Sequence, residues 1–232
     1  MSKYLWALSL ALVVPGCKSA DKPNDAAPTK SAFAVPAGRE VQFKGYKGLE
    51  LRGTFLPAKV GAKSAAVLLL PGSGPSDRDG NQTGLTIDIL KQIAERLSEE
   101  GVASLRFDKR AVPTVYGKSY PKDLAGLGDF FSWEAFVQDA EAAFDCMKSQ
   151  AEVDGARTGV LGHSEGGVIA IGMSKKSQPK GLILVSTPAR NMGDLILEQL
   201  SQGMPSKTTP PDQLKDFFEK AFSVYSALAE PA

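Results

Sequence analysis

Hydrophobic and polar positions along the chain fall into short apolar runs and amphipathic stretches of helical spacing. Two strand-like runs flank "YKG" within Glu40–Ala58. Val41 and Phe43 sit on the first, and Leu49, Leu51, Thr54 and Leu56 around the second, which is the pattern of a β-hairpin. Ala65–Leu70 is a short all-apolar strand of the kind buried on both faces of a parallel sheet. Ile89, Leu90, Ile93 and Leu97 then recur at helical spacing, predicting a helix near Thr86–Glu100 with Gly101 just past its end. Val102–Asp108 reads as the following strand, and Lys109–Phe131, with Pro113 and Pro121, as irregular chain. Ser132 is an N-cap candidate for a second helix, with Trp133, Phe136, Val137, Ala140, Phe144 and Met147 as its buried stripe. Thr158–Gly162 predicts a strand, Glu165 to about Lys175 a helix, and Gly181–Thr187 another strand. A hairpin followed by strand–helix repeats predicts an α/β fold with a mostly parallel sheet.

The two ends differ from this middle. After Lys3, the apolar run Tyr4–Val14 is too short to span a bilayer comfortably and reads as a signal-peptide core. It leads into "VPGC", which resembles the lipobox of bacterial lipoproteins. That resemblance implies cleavage before Cys17, acylation of Cys17 and a lipid anchor. Lys18, where lipoproteins kept at the inner membrane often have Asp, implies a cell-envelope protein on the outer membrane facing the periplasm. Lys18–Gly38 has almost nothing to bury and reads as a tether. At the other end, Leu195, Ile196 and Leu200, then Leu214, Phe217, Phe218, Phe222, Tyr225 and Leu228, form amphipathic helical stripes. The expected organisation is a signal peptide over 1–16, a tether over 17–38, a core over 39–190 and a helical segment over 191–232.

Composition narrows the function classes. The chain has 232 residues, 43% hydrophobic and 23% charged, enough for one domain with a proper core. A net charge of +1 gives no electrostatic case for nucleic acid binding. The second cysteine, Cys146, falls on a predicted helix and reads as a buried, inert thiol. No metal-ligand cluster and no dinucleotide fingerprint is found, so no cofactor is implied.

The chemistry is concentrated in "VLGHSEGG", Val160–Gly167. A Gly-x-Ser-x-Gly turn directly after an apolar strand and before a helix is the setting of a nucleophile elbow, with Ser164 as nucleophile. Ser164 would then stand at a helix N-terminus, where developing negative charge is favoured. A second motif, "PGSGPSDRDGN" at Pro71–Asn81, follows the earlier buried strand.

Together these motifs resemble bacterial α/β-hydrolases of the esterase and serine-aminopeptidase type. Members carry "GSGP-[S/N]-DRD-x-N", "FDKRG" and "GHSEGG" in this order, here Gly72–Asn81, Phe107–Arg110 and Gly162–Gly167. The resemblance runs from about Val41 to Leu200. It implies hydrolysis of a small-molecule carboxylic ester or acyl substrate through an acyl-enzyme. It also implies an oxyanion hole made by the backbone N–H of Ser73, with Gly74 the alternative, and that of Glu165. Asp108 and Arg110 are expected to form a structural ion pair, and Asp77, Arg78 and Asp79 to lock the oxyanion loop. Where members continue with glycine after "FDKR", this chain has Ala111-Val112-Pro113, so that loop is expected to be reshaped. The segment after Thr187 resembles the start of a lid.

The triad is the departure. In this fold the acid and the histidine base follow the serine in sequence. The one histidine of the chain is His163, inside the elbow, and its side chain is expected to leave in another direction. Asp194, Asp212 and Asp216 fall on helical or loop segments. The expectation is therefore a core without its last strands and without a triad acid or base, an inactive fragment of an active type. Two other readings stand beside it: a lipid-anchored pseudo-hydrolase that binds without turnover, and a site completed by another chain or by an unusual base such as Lys109. Peptidase or thioesterase activity is the alternative to ester hydrolysis.

Overall fold

The computed structural model describes residues 36–59, 63–82, 84–110, 112, 121 and 124–190. The expected signal peptide, Cys17, nearly all of the tether and the helical segment from 191 lie outside the described residues. So do Ala111 and Pro113 of the reshaped loop.

The hairpin forms as expected. β1 (Arg39–Lys44) and β2 (Glu50–Leu56) pair antiparallel with Gln42 opposite Arg52, joined by a 3-10 turn at Tyr46–Gly48. β3 (Ser64–Leu70), β4 (Ala103–Phe107), β5 (Val153–His163) and β6 (Gly181–Val185) complete a six-stranded sheet in the order β1-β2-β4-β3-β5-β6. The β3–β4, β3–β5 and β5–β6 pairs are parallel, and β2–β4 is antiparallel. The helices are α1 (Ile89–Glu99), α2 (Leu124–Phe130), α3 (Trp133–Lys148) and α4 (Glu165–Ser177).

The apolar run of β3 is explained by its two-sided burial. Ala66, Leu68 and Leu70 join one core cluster with Phe144, Met147, Ile169 and Met173 from α3 and α4. Leu69, with Val67 beside it, joins a smaller cluster with Leu90 and Ala94 of α1. Alternate side chains of one strand thus serve opposite faces of the sheet. Truncating Leu68, which is fully buried, to alanine would cost about 2–5 kcal/mol.

Three elements depart from the sequence expectation, the first being β5, which begins at Val153 rather than Thr158. α1 begins at Ile89 rather than near Thr86, because the Asn81 Oδ1 accepts the N–H groups of both Ile87 and Asp88 at 2.8 Å. Held there, Asp88 takes a left-handed conformation with φ 50°, which a right-handed helix cannot pass through, so the helix starts after it. α2 occupies chain read as irregular, despite Gly126 and Gly128. Tertiary contacts offset the low propensity of glycine: Asp129 accepts from Lys47 Nζ at 2.8 Å and from the Tyr46 hydroxyl at 3.0 Å, pinning α2 to the hairpin turn. By contrast, Ser132 caps α3 as its position predicts, its hydroxyl accepting from the Ala135 N–H at 3.2 Å. Cys146 is half-buried rather than buried, with its thiol pushed up by burial.

β6 carries Leu182, Ile183, Leu184 and Val185, each between 36% and 49% exposed. Among the described residues its only strand neighbour is β5. Among the described residues no helix is long and apolar enough to cross a membrane.

Candidate active site

The order of the strands positions the site. From β3 the chain passes through α1 to β4 on one side. It then returns through α3 to β5 on the other side of β3. Loops leaving the carboxyl ends of neighbouring strands diverge there, and such a switch point opens a crevice in parallel sheets. The loops after β3 and β5 meet at this place. A Cβ on Gly72 would stand 3.1 Å from His163 Nδ1 and 3.4 Å from Ser164 Cβ.

Ser164 sits between β5 and α4 with φ 53° and ψ −120°, a backbone conformation that non-glycine residues avoid. The turn is held by the Ser164 N–H donating to the Val185 carbonyl at 2.9 Å and the Gly167 N–H donating to the Ser164 carbonyl at 3.0 Å. Its tightness explains the glycines. A Cβ on Gly162 would lie 2.3 Å from the Gly166 carbonyl oxygen, and one on Gly166 would lie 2.5 Å from the carbonyl oxygens of Leu70 and Pro71. Ser164 is partly exposed, while Glu165 behind it is buried. Glu165 is the first residue of α4, so its N–H has no acceptor within the helix.

His163 is exposed and its ring lies beside Gly72. Among the described residues no hydrogen bond joins it to the Ser164 hydroxyl. Asp194, Asp212 and Asp216 lie outside the described residues.

The loop Pro71–Asn81 is locked by its own polar side chains. The Asp77 carboxylate accepts from the N–H groups of Asp79 and Asn81 at 2.9 and 2.8 Å. Arg78 donates from Nε and Nη2 to Asp108, and its own N–H also bonds that carboxylate. Arg106 Nε reaches Asp79 at 2.7 Å. Gln82 Nε2 holds the Ser73 carbonyl at 2.7 Å and Ser76 Oγ at 2.8 Å. The expectation that Asp77, Arg78 and Asp79 fasten this loop agrees with these bonds.

The expected Asp108–Arg110 pair does not form. Asp108 turns to Arg78, and Arg110 turns the other way to Asp139, with both its Nε and Nη2 at 2.7 Å from the carboxylate oxygens. Arg110 Nη1 also donates to the Phe130 carbonyl at 2.9 Å. Two planar charge-assisted pairs satisfy more donors than one strained pair between near neighbours could. Sequence spacing alone could not see Asp139, because it comes from α3.

Lys109 has a different destination. Its Nζ donates to Glu165 Oε2 at 2.6 Å and to the Gly72 carbonyl at 3.0 Å, and it stands 5.0 Å from the centre of the Phe136 ring. The two charged side chains are 5% and 10% exposed. As a candidate base Lys109 is poorly placed, since its ammonium is bound to a carboxylate. Among the described residues no group of three or more His, Cys, Asp or Glu side chains is placed to hold a metal.

Comparison with known proteins places this geometry in context. The sequence profile described as serine aminopeptidase, S33 matches residues 84–217. The chain is 29% identical over 177 residues to the esterase EstD of Thermotoga maritima, an alignment covering 74% of this chain and 39% of that protein. It is 30% identical over 162 residues to an uncharacterized protein of Mycobacterium tuberculosis, covering 69% of this chain and 50% of that one. The chain thus spans half or less of the length of these relatives. Two solved structures share the fold. The carboxylesterase EstE1, cloned from a metagenomic library, superposes with a TM-score of 0.53 at 20% identity, over 86% of this chain and 65% of that one. An esterase of Pyrococcus furiosus gives 0.52 at 21% identity, over 84% and 64%. On the sequence matches, the chain belongs to the serine aminopeptidase S33 family of α/β-hydrolases.

Proposed function

We propose that this chain supplies the nucleophile and oxyanion hole of a serine hydrolase acting on small-molecule carboxylic esters. The observation that carries the reading is Ser164, held at φ 53° on the strand–helix turn beside Gly72 of the opposite loop. A backbone strained in this way at one serine suits a nucleophile presented above the sheet.

In the reaction, Ser164 Oγ attacks the ester carbonyl carbon and its proton passes to a general base. The carbonyl oxygen becomes an oxyanion facing the N–H groups of Ser73 and Glu165. Collapse breaks the bond to the alkoxy group, which leaves as the alcohol with that proton. Water then attacks the acyl-enzyme, releasing the carboxylic acid and restoring the Ser164 hydroxyl. Because His163 makes no bond to Ser164, the base and its acid partner are assigned to residues outside the described ones. Without them, the oxyanion hole and binding alone sustain a residual acceleration of roughly 10³–10⁴ over water.

The test is acylation of the full chain by p-nitrophenyl acetate, read by intact-mass and peptide-mapping mass spectrometry. The acyl group is expected on Ser164 and lost in Ser164→Ala. Acylation elsewhere, or undiminished in that variant, overturns the assignment. Purified, folded chain that neither acylates nor reacts with a fluorophosphonate supports the ligand-binding pseudo-hydrolase instead.

The envelope location rests on the apolar Tyr4–Val14 run ending at Cys17. Expression in a bacterial host with a radiolabelled fatty acid is expected to label the wild-type chain and not Cys17→Ser. Equal labelling of both would remove the lipid anchor.

A further inference from the structure

We infer that Lys109 is a positioning residue that sets both oxyanion donors at once; the inference rests on the serine-hydrolase reading above. Its ammonium touches the two halves of the hole. One bond goes to the Gly72 carbonyl, at 3.0 Å, and the other to the Glu165 carboxylate, at 2.6 Å.

The first bond acts through the peptide plane. The described peptides are all trans, and in a trans peptide the carbonyl and the following N–H point in opposite directions. Holding the Gly72 carbonyl toward Lys109 therefore turns the Ser73 N–H away from Lys109, on the far side of the same plane. The next peptide is held separately, its Ser73 carbonyl bonded by Gln82 Nε2 at 2.7 Å. With both neighbouring planes fixed, the Ser73 N–H has one direction. The second bond acts through the helix. Glu165 is the first residue of α4, and its N–H is the other expected donor. Tying its side chain to the ammonium that holds Gly72 fixes the first turn of α4 against the opposite loop.

Leu70, Phe107, Phe136 and Ile169 line a small cavity beside Lys109, which the mutually paired Arg110 and Asp139 also border. A buried charge there persists only with a partner. Lys109 and Glu165 neutralise each other, and a second ammonium N–H goes to the Gly72 carbonyl, with the Phe136 ring 5.0 Å away. The motifs "FDKR" and "GHSEGG" thus contribute one residue each to a single contact, at a sequence separation of 56 residues. The arrangement is preorganisation: donors oriented before charge develops do not have to reorient when it does.

The test uses the full chain and the paired variant Lys109→Met/Glu165→Gln. Removing both charges together avoids stranding either one in the core, so the fold is expected to survive a change that would strain it if made singly. Two readouts are followed. Hydrogen exchange by mass spectrometry is expected to show the hydrogen-bonded amides of the two segments, Ser76 in 71–76 and Ser164 and Gly167 in 163–167, exchanging about tenfold faster, with β3 and β4 unchanged. The rate of fluorophosphonate labelling at Ser164 is expected to fall about tenfold or more, with the urea midpoint close to that of the wild type. Unchanged exchange in those two segments overturns the inference. So does faster exchange spread evenly over the sheet, or faster local exchange with unchanged labelling. Failure of the serine-hydrolase reading has a separate signature: Ser164→Ala labels as the wild type does, whatever the exchange data show.

Discussion

Lys109 and Arg110 are consecutive in sequence, both cationic, and both buried, yet they belong to different parts of the molecule. Arg110 serves the scaffold. It bonds Asp139 of α3 through two parallel hydrogen bonds and the Phe130 carbonyl at the end of α2. The Tyr46 N–H closes the group by donating to Asp139 at 2.9 Å. Helix, helix and hairpin turn are joined there. Lys109 reaches instead between the loops after β3 and β5. The difference teaches that burial of a charged pair does not say what the pair is for. The groups at its far ends do.

The largest way to break this contrast is Arg110→Ala. It strands Asp139 in the core and is expected to cost about 3–5 kcal/mol of stability, read as a lower urea midpoint. Fluorophosphonate labelling per folded molecule is expected to stay near wild type. If stability is unchanged, Arg110 is not the fastening assigned to it. Next in size is Gly162→Ala, whose Cβ meets backbone atoms of the elbow. A loss of about 1–3 kcal/mol, with slower labelling of Ser164, is expected by the same two measurements. Ser164→Gly tests the opposite sign. Relief of the positive φ is expected to raise stability by about 1 kcal/mol while abolishing labelling, so that strain and chemistry move in opposite directions at one residue.

The smallest effect is the pH response of the exposed pairs. Lys47 and Tyr46 hold Asp129 below the usual carboxylate range, Arg39 does so for Glu152, and Arg157 for Asp154. A carboxyl depressed in the folded state adds stability above its unfolded pKa, near about 4, and loses it as pH falls through the lower folded value. A modestly lower urea midpoint at pH 3 than at pH 7 is expected, and Arg39→Ala should narrow the gap. A midpoint that rises on acidification would contradict the assignment.

What could be read without coordinates followed from local physics. The two-faced apolar run of β3, the Ser132 cap and the serine turn each carry their signal within a few residues. The strands and most helix limits were therefore legible. What escaped was set from a distance. α2 depends on Asp129 meeting the hairpin turn. The start of α1 depends on Asn81. The partner of Arg110 sits on α3, and the partner of Lys109 lies beyond α3. No window along the chain contains both ends of such a contact. The site showed the same division, since the serine and its loop could be named but the lysine joining them could not.

The parallel pairing of β3 with β5 also has a consequence in time. Ala66 lies beside Thr158, and between them the chain must first pass through α1, β4, α2 and α3. Contacts that close so long a loop form late and slowly. The serine turn and its facing loop consequently have no meeting place in a partly folded chain. While the chain folds, Ser164 would remain without its Ser73 donor until the centre of the sheet had closed, which makes reactivity at Ser164 a clock for that closure.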